Sequence, residues 1–177
     1  MKIGIFCSAN SSIAPDYFTL AEELGKWMAH NGHSLVYGGT DLGMMKTIGH
    51  AVHDNGGRVI GVVPRIMESD DSRATCLDVE IPVDNLSDRK DIMLAQSDIF
   101  IALPGGIGTL DEIFTVAASN SIGYHAKKVI LYNMKGYWSK AIEMLEDMVE
   151  RGMIRGNMNK MIEIADNLNE LKTVIEN

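Results

Sequence analysis

The sequence predicts an α/β fold, a doubly wound parallel sheet with helices on both faces. Three observations carry that prediction. Strand-like and helix-like segments alternate along the whole chain. The strand-like segments are continuous apolar runs, such as Ile99 to Leu103, which is the pattern of strands covered on both sides. No linker, low-complexity tract or repeat interrupts the alternation, so the 177 residues read as one domain spanning 1–177.

Each element has its own signal. Ile3 to Cys7 is a short apolar run and the first strand. Pro15 to His30 places Tyr17, Leu20, Ala21, Leu24, Trp27 and Met28 on one helical stripe. Pro15 suits the first turn, where its missing N–H costs nothing, and Asn31-Gly32 ends the helix. Ser34 to Tyr37 is the second strand, and Leu42 to Asn55 the second helix, closed by Gly56-Gly57. Arg58 to Val63 is the third strand, stopped by Pro64. Glu68 to Val83 is the least regular stretch, with a short strand near Val79 to Ile81; its acidic group Glu68, Asp70 and Asp71 reads as a solvated loop. Asp84 to Ser97 is a helix with Asp84 or Asn85 near its cap. Asp98 to Leu103 is a strand, Gly106 to Ile122 a helix, Lys128 to Tyr132 a strand and Trp138 to Arg151 a helix. Met161 to Ile164 and Leu168 to Ile175 are expected as a last strand and helix.

Composition narrows the function classes. Hydrophobic residues make up 46% and charged residues 23%, as in a globular protein. A formal net charge of −8 opposes a general nucleic-acid binder, whose phosphate contacts need a basic surface. A small anionic ligand stays possible, because one pocket can be positive on an acidic protein. No apolar run approaches the roughly 18 residues of a membrane span. No signal peptide is visible, and Cys7 and Cys76 form neither a C-x-x-C pair nor a disulfide framework, so the default compartment is a reducing cytoplasm.

Three loops follow strands, and in a parallel sheet all three open on the same side, where such folds bind ligands. They are Cys7 to Ser12, Gly38 to Gly43, and Pro104 to Thr109. The last is the most specific. Gly105, Gly106 and Gly108 crowd into four residues, an entropic cost that a plain turn would not require, and Thr109 adds a hydroxyl. A helix beginning there aims free N–H groups and its positive end at one spot, which suits a phosphate. Glu112 stands in that helix's first turn, where an anion would repel it, so it is expected to have a task. In the Gly38 to Gly43 loop, Gly38, Gly39 and Thr40 are candidate ligand contacts, against the plainer reading of a tight turn. It is not a P-loop, because Met44 stands where lysine must follow, and the first strand lacks the glycines of a dinucleotide fingerprint.

Arg89 and Lys90 lie in the helix before the glycine-rich loop. Arg89, Met93 and Gln96 share a stripe with Leu86 one turn earlier, which marks Arg89 as a partly buried guanidinium rather than a solvated charge. His50 and His53 read as a surface pair, with no third ligand of matching spacing. The 12 methionines read as core filler, though Met44 and Met45 could also line a pocket.

These residues resemble the LOG ("Lonely Guy") family, phosphoribohydrolases of cytokinin riboside 5′-monophosphates. Pro104 to Glu112 matches the family's P-G-G-x-G-T-x-x-E at every fixed position, and Arg89-Lys90 matches its upstream R-K pair. Val36 to Met45 is similar to its V-Y-G-G-G-x-x-G-L-M, with Thr40 in place of a glycine, and Phe6 to Asn10 to its F-C-G-S-S. The resemblance implies a Rossmann-like fold, a homodimer, and no metal or organic cofactor. It implies hydrolysis of the N-glycosidic bond of a nucleoside 5′-monophosphate, AMP or an N6-modified AMP, to free base and ribose 5-phosphate. Its catalytic arginine and glutamate fall on Arg89 and Glu112. Its phosphate-binding residues fall on Gly105, Gly106, Gly108 and Thr109. Ser87 replaces a frequent histidine, and Ser119 and Ser121 replace a tryptophan and a glutamine, which leaves the base preference open. The alternative is a non-catalytic nucleotide carrier of the same fold. A pyridoxal-phosphate decarboxylase would need a Schiff-base lysine, for which Lys46 and Lys90 are the only nearby candidates, without a supporting motif.

Overall fold

In the computed structural model, which describes residues 1–67 and 72–176, seven strands form one sheet in the order β4-β3-β2-β1-β5-β6-β7, and every paired neighbour is parallel. The chain runs β1 (Lys2–Phe6), α1 (Pro15–His30), β2 (Ser34–Tyr37), α2 (Gly43–Asp54), β3 (Val59–Pro64), β4 (Val79–Val83) and α3 (Leu86–Gln96). It continues β5 (Ile99–Ala102), α4 (Ile107–Ser121), β6 (Val129–Tyr132), α5 (Ser139–Glu150), β7 (Ile162–Ala165) and α6 (Leu168–Glu176). The expected elements are all present, with ends displaced by a residue or two. The acidic group Glu68, Asp70 and Asp71 lies outside the described residues.

Local chemistry explains the boundaries. Pro15 opens α1, and the backbone N–H of Asn31 closes it on the Trp27 carbonyl. Asn85, rather than Asp84, caps α3: its Oδ1 accepts from the N–H groups of Ser87 and Asp88, both at 2.9 Å. Pro64 does not stop β3 but ends it, paired with Val83. β4 runs past Ile81 through Pro82, which an edge strand tolerates because its outer side needs no ladder bond.

Alternate residues of the strands feed two cores. Ile3, Ile5, Leu35, Tyr37, Ile99, Ile101 and Ile130 face α1, α2 and α6, meeting Leu24, Met28, Ile48 and Leu171. Phe6, Val36, Val62, Phe100, Ala102 and Leu131 face α3, α4 and α5, meeting Met93, Ile113, Val116 and Leu145. Each such aliphatic or aromatic side chain contributes about 1.5–3 kcal/mol when fully buried. The doubly wound arrangement follows, since each sheet face is apolar and each is covered.

The strand order reverses at β1. The chain first winds outward through β2, β3 and β4, then returns to place β5 on the other side of β1. The loop after β1 leads to α1 on one face, and the loop after β5 leads to α4 on the other. The two loops therefore diverge and leave a crevice between them at the carboxyl ends of the strands. No helix among the described residues is long and apolar enough to cross a membrane.

Candidate active site

The crevice holds a cavity of ≈ 230 Å³ lined by Cys7, Ser8, Ala9, Met45, Arg89, Gly106, Gly108, Thr109 and Glu112. All three glycine- or serine-bearing loops thus reach one place or support it. Ser8 joins them through its backbone. Its N–H donates to the Pro104 carbonyl (3.1 Å), and its carbonyl accepts from Met44 N–H (3.0 Å). The Gly43 N–H donates to Ser11 Oγ (3.2 Å).

Arg89 arises in the first turn of α3, one turn after the Asn85 cap. Its Nε donates to the Val62 carbonyl (3.1 Å) and its Nη2 to the Gly38 carbonyl (2.9 Å). The guanidinium is thereby clamped to the ends of β2 and β3. Gly38 exists for this contact, because a Cβ there would lie 1.7 Å from Nη2. Burial pulls the guanidinium below its ordinary value and Glu112 pushes it back up; an arginine remains charged throughout.

Glu112 sits in the second turn of α4, a turn further in than the sequence count places it, and lines the cavity. Burial raises its pKa to about 7; Arg89 and Lys90 pull it down while Asp111 pushes it up. Lys90 takes Asp111 as its partner, Nζ lying 2.9 and 2.8 Å from the two carboxylate oxygens. Arg89 takes backbone carbonyls. Neither cation therefore closes on Glu112 as an ion pair, and the carboxylate keeps a near-neutral titration. Cys7 also lines the cavity, but burial, reinforced by Glu112, pushes its thiol far above the ordinary range.

The glycines of the 104–109 loop divide by role. A Cβ on Gly105 would lie 2.1 Å from Thr109 Oγ1, so Gly105 is required by packing. A Cβ on Gly106 or on Gly108 would meet nothing within 4 Å. Neither has a positive φ, so nothing inside the chain calls for glycine at these two positions. Both are exposed beside the cavity at the start of α4, where no side chain caps the helix. Thr109 is 4% exposed and lines the cavity.

Other candidates lie further off. Gly39 has φ +69° and packs against Val63, and Thr40, 6% exposed, bridges to Arg73; neither lines the cavity. Lys90 reaches the site only electrostatically. Met45 lines the cavity, whereas Met44 is wholly buried in the core. Leu86, expected on the Arg89 stripe, is 64% exposed. His50 is partly exposed, with its Nε2 2.9 Å from Asp41 Oδ1, and His53 is exposed. Among the described residues no group of His, Cys, Asp and Glu could hold a metal ion.

The sequence did not single out the support from the 133–138 segment. The Tyr137 hydroxyl donates to the Gly105 carbonyl (2.7 Å), and Trp138 Nε1 donates to the Ala102 carbonyl (3.1 Å). An aromatic pair in a loop after a strand was the available signal, since that loop also opens on the ligand side of a parallel sheet.

The chain is similar to known proteins over nearly its whole length. Residues 45–175 match the family described as "Possible lysine decarboxylase". The probable cytokinin riboside 5′-monophosphate phosphoribohydrolase LOGL2 of Oryza sativa subsp. japonica is 38% identical over 99% of this chain and 72% of its own. The cytokinin riboside 5′-monophosphate phosphoribohydrolase LOG5 of Arabidopsis thaliana is 33% identical over 99% of this chain and 77% of its own. The molybdenum cofactor carrier protein of Chlamydomonas reinhardtii shares the fold, with a TM-score of 0.76 at 23% identity over 99% of this chain and 95% of that one. With the family model matched over residues 45–175 and relatives matched over nearly its whole length, the chain belongs to the LOG family.

Proposed function

We propose that this protein hydrolyses the N-glycosidic bond of a nucleoside 5′-monophosphate, AMP or an N6-modified AMP of the cytokinin type, to free base and ribose 5-phosphate. One observation carries the reading. A half-buried carboxylate, Glu112, shares a cavity with the uncapped start of its own helix and with a clamped guanidinium.

The 5′-phosphate is assigned to the N–H groups at the start of α4, around Gly106, Gly108 and Thr109. Gly106 and Gly108 leave the backbone bare, so the anion can come close. Gly38 and Gly105 act one step removed, by admitting Arg89 and Thr109; Gly39 and Thr40 hold the neighbouring loop, and Lys90 adds positive field. At ≈ 230 Å³ the cavity is smaller than the roughly 300–1,000 Å³ of pockets that enclose a whole ligand, so it suits the sugar phosphate, with the base projecting past the rim.

Cleavage puts positive charge on the ribose as the base departs. Glu112, as carboxylate, stabilises that cation and takes a proton from the water that attacks C1′. The C1′–N bond breaks, the base leaves with its electron pair and takes a proton from solvent, and Glu112 releases to solvent the proton it took from the water. A pKa near 7 is what a general base at neutral pH needs. Arg89 balances the charge of Glu112 and supplies donors to phosphate or ribose oxygens. Binding at the phosphate thus becomes orientation at the reacting carbon.

A carrier would gain nothing from a carboxylate placed against its anion, and Glu112 favours the enzyme over that alternative. The same reading extends to a homodimer, which would cover the exposed Ile107, Phe114 and Ile122 of α4 and its C-terminal end, and to a reducing, cytoplasmic compartment, consistent with free Cys7 and Cys76. The test is chromatographic detection of free base from AMP and from adenosine. Rapid release from AMP alone is expected; equal release from adenosine would remove the phosphate anchor.

A further inference from the structure

Given the nucleotide site proposed above, we propose that Tyr137 is a positioning residue that sets the phosphate loop by holding the Gly105–Gly106 peptide in one orientation. The Tyr137 hydroxyl donates to the Gly105 carbonyl at 2.7 Å. That carbonyl and the Gly106 N–H belong to one planar trans peptide, so they point in opposite directions. Fixing the carbonyl on the tyrosine therefore fixes the N–H away from it.

The peptide needs such a hold. It joins two glycines, the residues with the widest backbone freedom, and a Cβ on Gly106 would touch nothing within 4 Å. Gly105 is packed against Thr109, whereas the Gly106 side of the peptide is open. A hydrogen bond to the carbonyl also polarises the peptide and strengthens its N–H as a donor.

Tyr137 is itself held. Its ring meets Trp138 edge-on at 4.9 Å and Tyr17 edge-on at 6.0 Å. The Asn133 side chain accepts from Trp138 N–H (2.7 Å) and donates to Asp166 (2.8 Å). Lys135 in the same turn is ion-paired with Asp16 of α1. Trp138 Nε1 fixes the end of β5 through Ala102. The segment after β6 thus braces the loop, and among the described residues the Tyr137 hydroxyl is its hydrogen-bond donor to the Gly-Gly peptide.

Tyr137→Phe keeps the ring contacts and removes that single donor. In the full-length protein it is expected to raise KM for AMP and the Kd for inorganic phosphate together, by about tenfold, with kcat changed less and Tm unchanged. Wild-type values of both constants in Tyr137→Phe would overturn the proposal. So would equal losses in kcat and Tm without a change in phosphate Kd, which describe a purely structural role. If wild-type protein binds phosphate yet releases no base from AMP, the reaction assigned above fails while the phosphate comparison still decides the role of Tyr137. If it binds no phosphate, the role of Tyr137 falls, while base release from AMP still decides the reaction.

Discussion

Gly38→Ala tests how Arg89 is held. The added Cβ would lie 1.7 Å from Nη2 and 2.9 Å from Cζ, so the guanidinium must leave its seat. Gly38 has no positive φ, and alanine there strains nothing else in the backbone. The displaced guanidinium loses its bonds to Val62 and Gly38, charge-assisted contacts worth about 1.5–3 kcal/mol each before solvent replaces them. The predicted loss in kcat/KM for AMP is about 10²- to 10³-fold, the usual scale for removing a charge-stabilising donor. The assay is chromatographic release of free base by Gly38→Ala, Arg89→Ala and the double variant. Because both substitutions remove one group, the double variant should be no slower than Arg89→Ala alone. Full activity in Gly38→Ala, or fully additive losses, would refute the clamp.

Two further predictions separate binding from stability and set the pH dependence. Gly108→Ala meets open space inside the chain and removes a helical glycine, so it should raise stability by about 0.5–1 kcal/mol by thermal denaturation while raising KM for AMP at least about tenfold; an unchanged KM would detach the bare backbone from ligand approach. Since Glu112 must be ionised to act, kcat/KM should rise with pH through about 7, an acid limb absent from whatever rate Glu112→Gln retains. The stability sign is opposite: with its pKa raised from 4.5 to about 7 in the folded state, Glu112 binds its proton more tightly there than in the unfolded chain. Wild type should therefore lose up to about 2–3 kcal/mol relative to Glu112→Gln as pH rises across that window, read from denaturant midpoints at pH 5 and 8. Parallel pH profiles would place Glu112 in water.

Much of the fold was readable from punctuation. Pro15 and Asn31-Gly32 bracket α1 at its observed bounds, and the apolar strands announce a sheet covered on both sides. Arg89 was readable as partly buried because Met93 shares its stripe, and Met93 is 1% exposed. The strand order was not readable from local pattern, although alternation implied a parallel sheet. The Cys7 to Ser12 loop is legible as a ligand-side loop, but the joining role of Ser8 is not, because it acts through backbone groups that every residue carries. Tyr137 escaped because its one polar contact is to a carbonyl 32 positions away, which no local spacing encodes. Gly38 looked like a ligand contact, and its glycine character is explained by a side chain 51 residues further on.

The central claim is that Glu112 acts on the glycosidic bond, and Glu112→Gln tests it most directly, by single-turnover release of base from AMP alongside AMP affinity. Affinity within a few-fold of wild type is predicted, with release slowed by at least about 10²-fold. Release at the wild-type rate by that variant would contradict the mechanism outright.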